Sequence, residues 1–110
     1  MAYDADLANR VREVMQVERG LTEKRMFGGL AFLIDGHMAV SASSQGGLLL
    51  RIDPDQSEFF TNEPHVRRFQ MRGREVDGWL HVAPEALETE EDLRRWVSQG
   101  ITYARSLPPK

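Results

Sequence analysis

The first apolar residues of the chain recur at helical spacing. Leu7, Val11, Val14 and Met15 share one side, with Arg10, Arg12 and Glu13 between them. Asp4 or Asp6 suits the N-cap, because a short carboxylate accepts hydrogen bonds from first-turn amides that have no other partner. Gly20 suits the stop, and Arg19 beside it suits the negative end of the helix dipole. From Met26 to Ile34 the chain is apolar without a helical period, and Asp35-Gly36 follows at once. Asp-Gly accepts the positive φ of a tight hairpin turn, so His37 to Ser44 reads as the return strand. Gln45-Gly46-Gly47 marks a second turn, and Leu48 to Ile52 a third strand. Asp53 and Pro54 fit the cap and first position of a short helix reaching Asn62, anchored by Phe59 and Phe60. Arg68 to Arg72 alternates, with Phe69 and Met71 on one side and Arg68, Gln70 and Arg72 on the other. Gly78 to Val82 is a further strand. Thr89 to Asp92 is similar to a capping box, and Leu93, Trp96, Val97, Ile101 and Ala104 make the stripe of a final helix. Gly100 interrupts that stripe at a point suited to close packing, and Pro108-Pro109 ends it.

The predicted order is helix, three strands, helix, two strands, helix. Such a run gives an α+β fold in two layers, with helices packed on an antiparallel sheet. The expected core is Leu7, Val11, Val14, Leu50, Phe69, Met71, Leu80, Trp96, Val97 and Ile101. Turning Leu50, Ile52, Phe69, Met71, Leu80 and Val82 toward the helices sends Leu49, Arg51, Arg68, Gln70, Trp79 and His81 to the other face, since strand side chains alternate. Trp and Arg are enriched at binding hot spots. That face is the candidate contact surface, with a second copy of the chain as the expected occupant. A one-residue slip in either late strand would bury Trp79 instead. In the first hairpin both faces are apolar: Leu30, Phe32 and Ile34 on one, Ala31 and Leu33 on the other. Either the second face is an interface, or the sheet is curved enough to cover both faces internally, or long side chains bury a central strand.

Composition narrows the function. The 110 residues suit one domain spanning 1–110, and 41% hydrophobic with 28% charged is an ordinary globular balance. Without cysteine there is no disulfide framework, thiolate zinc site or thiol nucleophile. The net charge of −3 argues against a strongly basic nucleic-acid-coating protein. No signal peptide or membrane span is visible, so a cytoplasmic location is expected.

Several local motifs resemble the TfoX/Sxy N-terminal domain family. They are Arg25-Met26-Phe27-Gly28-Gly29, Asp35-Gly36, Leu48-Leu49-Leu50-Arg51, Phe69-Gln70-Met71-Arg72-Gly73-Arg74 with Gly78-Trp79, and Trp96 followed by Ala104-Arg105-Ser106-Leu107-Pro108. The resemblance runs over nearly the whole chain. It implies a two-layer α+β fold like that of the secretion-chaperone group and no known catalysis. The family takes its name from bacterial regulators that help switch on DNA-uptake genes. Those regulators carry a second, C-terminal domain, and this chain ends where it would begin. The expectation is a stand-alone domain acting as a non-enzymatic regulatory or protein-interaction module. The alternative is a small-molecule-binding domain using the open sheet face.

Candidate chemistry is sparse. Gly28-Gly29 leads into a strand, whereas a phosphate cradle leads into a helix. A bulge or a close approach by a packed helix explains the glycines better. His37, His65 and His81 match no metal-ligand spacing, so no metal or cofactor is expected. No serine sits in a nucleophile elbow, although Ser41 and His81 could meet in space. The acids from Glu85 to Asp92 suit a helix N-terminus. Arg67, Arg68, Arg72 and Arg74 form the only basic cluster, with Phe69 and Trp79 nearby. Direct nucleic-acid binding is disfavoured there, because alternation sends Phe69 to the core and Glu75 and Asp77 dilute the charge.

Overall fold

Asp4 caps the first helix: its carboxylate accepts from the amides of Asp6 (2.9 Å) and Leu7 (3.2 Å). In the computed structural model, which describes residues 3–26, 28–71 and 73–108 and only the backbone of Met71, this helix is α1, Ala5–Met15. It ends before Gly20, which instead lies in the turn entering β1, Leu21–Met26. Next come β2 (Gly29–Ile34), β3 (His37–Ala42) and β4 (Leu48–Arg51). A 3-10 turn at Pro54–Gln56, capped by Asp53, leads into the short α2, Ser57–Thr61. β5 (Val66–Met71) and β6 (Arg74–Val82) form a hairpin, and a second 3-10 turn, Pro84–Leu87, precedes α3, Glu90–Ser106. The Thr89 hydroxyl caps α3 by accepting from the Asp92 amide at 3.0 Å.

Four strands, not three, therefore precede α2. The missing one, β1, reads Leu-Thr-Glu-Lys-Arg-Met and is almost wholly exposed. It is an edge strand, and natural edges carry charge that discourages further pairing, so it lacks the apolar signature of a strand. All six strands join one antiparallel sheet in the order β1-β2-β3-β4-β6-β5.

The helices share one face of this sheet. α3 lies across β2, β3 and β4, α1 packs beside it on β3, and α2 covers β5 and β6. The layer between contains Val11, Met15, Phe32, Ile34, Val40, Leu50, Leu80, Trp96 and Val97, all buried. Phe60 packs edge-on against Trp96 at 5.6 Å, while Phe59, expected as a second anchor, is 68% exposed. Ile101 lies half-buried at the margin of this core. Gly100 sits where α3 crosses β3: a Cβ there would come within 2.4 Å of the Ala39 carbonyl oxygen. The Arg10 guanidinium donates to the Leu87 carbonyl at 2.7 Å and ties α1 to the segment before α3.

Candidate interaction face

Among the described residues no helix lies on the opposite face of the sheet, yet that face is not polar. Ala31, Met38 and Leu49 are buried there, and Met26, Leu33, Phe69 and Trp79 pack over them half-buried. Strand pairing places each residue. Leu49 stands opposite Ser41 on β3 and His81 on β6, and Arg51 stands opposite Trp79. Lys24 and Thr22 on β1 stand opposite Ala31 and Leu33, and Arg67 on β5 stands opposite His81. Opposed residues share a face. The second face is thus a continuous apolar strip with Lys24, Arg51 and Arg67 around it.

The Arg51 guanidinium lies 5.4 Å from the Trp79 ring centroid and 5.5 Å from that of Tyr103 on α3. This cation is held between two π faces, which attract it through the ring quadrupole. His81 is fixed differently. Its Nε2 lies 2.7 Å from the Gly46 carbonyl oxygen, and a carbonyl can only accept, so Nε2 carries the proton. Nδ1 is buried without a protein partner. Burial pushes the His81 pKa below its ordinary 6.5; the Gly46 bond opposes this, and the Arg67 charge adds to it.

Of the six residues expected on this face, Leu49, Arg51, Trp79 and His81 lie together. Arg68 does not: it stands opposite Leu80 on the helix-bearing side and donates to Asp77 at 3.0 Å. Gln70 is exposed and stands opposite Glu75, past a break in register between Arg68 and Gln70. Phe69, expected in the core, falls on the second face because Arg67 stands opposite His81 and Arg68 opposite Leu80, so that alternation puts Phe69 on the side of Arg67. The break is matched on β6 by Gly78, whose φ of +87° bends the strand. Gly inside a strand pattern was the available signal. Lys24 was missed with its strand, and Arg67 because the strand was started at Arg68, two residues late.

The motif residues fall at turns around this sheet. Met26 stands opposite Gly29 at one hairpin. Gly29 is required by a neighbouring strand rather than a helix, since a Cβ would lie 2.1 Å from the Ala42 carbonyl oxygen. Gly28, Gly73 and Arg74 sit at hairpin ends, while Phe27, Arg72 and the Met71 side chain lie outside the described residues. Ser41 and His81 share the face but flank Leu49, about two strand spacings or ~10 Å apart. The Ser41 hydroxyl points to the Ala42 carbonyl at 3.5 Å. His37 bonds the Pro108 carbonyl, far from either. Among the described residues no three His, Asp or Glu side chains gather as a metal would need. Nor is any described helix long and apolar enough to cross a membrane. The recesses lined by described residues are open, among them one of about 180 Å³ between Ile52–Gln56 and α3, one of about 150 Å³ between α1 and the start of α3, and one of about 350 Å³ beside His65, Arg67 and His81.

A helix-backed antiparallel sheet with these motifs at its turns defines an α+β domain whose free face is apolar. The chain belongs to the TfoX N-terminal domain family, whose model matches residues 13–104, from the last turn of α1 to the last turn of α3. No curated protein matches the chain.

Proposed function

We propose that the chain is a non-enzymatic regulatory module, located in the cytoplasm, that binds a partner protein through the second face of its sheet. One observation carries this reading. Met26, Leu33, Phe69 and Trp79 lie half-exposed over a buried floor of Ala31, Met38 and Leu49, and no described helix covers them. A contiguous apolar patch on a small soluble domain is characteristic of an interaction site. Family membership agrees with it, because the family is named for regulators rather than for a reaction.

The test is a paired substitution, Leu33→Ser with Phe69→Ser. Both side chains belong to the second face, so the variant keeps the helix-backed core. It is expected to melt within a few degrees of the wild type and to lose the partner captured from extracts of its own cells. Capture of the same partner in the same amount would overturn the reading.

A further inference from the structure

The face is chemically one-sided, and this identifies its occupant. Lys24, Arg51 and Arg67 surround the apolar strip. None of the three forms an ion pair among the described residues, a state they share with Arg10, Arg19, Arg25 and Arg74 and not with Arg12, Arg68, Arg94, Arg95 and Arg105. No carboxylate stands among these residues. Asp77, the nearest acid along β6, is turned to Arg68, and Glu75 stands opposite Gln70 toward the hairpin tip. Yet the chain holds 17 acids against 14 bases. The acids have been placed elsewhere, and the bases on this face left without counter-charges.

Resting on the reading above, we infer that the partner is an acidic protein segment, with aromatic or aliphatic anchors for the strip and carboxylates for Lys24, Arg51 and Arg67. Complementary charge of this kind fixes orientation and speeds encounter. A second copy docked through the same face would bring a second set of the same bases into the interface with no carboxylate between them, which is repulsive. Single-stranded nucleic acid needs open ring faces for stacking. Here Arg51 already lies over Trp79, and the remaining strip is mostly aliphatic. Met26 adds a thioether side chain that adapts to varied partners.

The experiment pans a random peptide display library against the full chain. Four immobilised baits are compared: the wild type, Lys24→Glu with Arg67→Glu, Lys24→Gln with Arg67→Gln, and Leu33→Ser with Phe69→Ser. Lys24 and Arg67 are exposed, so both charge variants are expected to fold, which circular dichroism checks. The inference expects wild-type peptides that place Asp or Glu beside aromatic or aliphatic residues. Their enrichment falls at least about tenfold on charge reversal, and less on neutralisation. Peptides that are lost with Leu33→Ser and Phe69→Ser but carry no acids, or ignore charge reversal, overturn the inference and leave the binding face standing. Peptides indifferent to Leu33→Ser and Phe69→Ser overturn both. An oligo-dT strand bound more tightly than any selected peptide and lost on charge reversal overturns the inference in favour of nucleic acid. Sedimentation showing a dimer that dissociates with Leu33→Ser and Phe69→Ser overturns it in favour of a second copy.

Discussion

Arg51 and Trp79 stand opposite each other on β4 and β6, with the guanidinium carbon 5.4 Å from the indole centroid. The same cation lies 5.5 Å from Tyr103, so one side chain couples the open sheet face to α3. Arg51→Ala is expected to cost about 1 kcal/mol in urea melts, and Arg51→Lys less. A double-mutant cycle with Tyr103→Leu should return a coupling of about 0.5–1 kcal/mol. A coupling indistinguishable from zero would show that the Tyr103 contact carries no energy.

Gly100 sets two effects against each other. In an exposed helix, Gly→Ala gains about 1 kcal/mol. Here the new methyl would meet the Ala39 carbonyl oxygen at 2.4 Å and a Leu50 methyl at 2.8 Å. Backbone gives little, so overpacking wins and Gly100→Ala is expected to destabilise by about 1–3 kcal/mol. A rise in melting temperature would mean that α3 can lift from β3 at no cost.

The two sheet faces should differ in what they lose on truncation. Leu50 is fully buried under α3, and Leu50→Ala is expected to cost about 2–5 kcal/mol from lost transfer energy and a cavity. Leu33, half-buried on the other face, should cost under about 1.5 kcal/mol as Leu33→Ala, because less apolar area leaves water. Equal losses would mean that the second face is as much a core as the first.

His81 gives a pH dependence with a definite sign. Its pKa in the folded chain lies below the ordinary 6.5, so between the two values the unfolded chain binds more protons. Its stabilising contribution is complete above about pH 6.5 and is lost as pH falls below it toward the lower folded value. His81→Gln should therefore lose less stability than the wild type between about pH 7.5 and 5.5. Parallel curves in chemical denaturation would remove His81 as the source.

Local chemistry made much of this architecture legible in the sequence. Asp4, Asp53 and Thr89 cap where a side chain can reach its own following amides, a matter of a few residues. Period-two alternation alone brought Leu49, Arg51, Trp79 and His81 to one face. What failed was non-local. β1 is a strand only because β2 pairs with it; its own residues are polar. Phe69 and Arg68 exchange faces because the phase of β5 is set by its partner strand, with Val66 opposite Val82 and Arg68 opposite Leu80, and a strand read one residue out of phase turns every side chain over. The apolar hairpin was ambiguous because Ala31 and Leu33 belong to a second cluster that no described helix covers.

The central claim, that the second sheet face is the binding surface, is tested most directly by photo-crosslinking inside the protein's own cells. A photoreactive amino acid is placed at Leu33, on that face, or at Val17, which is 80% exposed beyond the end of α1. The account predicts a discrete adduct with a partner protein from position 33 and none from position 17. Adducts from position 17 alone, or equal labelling from both, would contradict it.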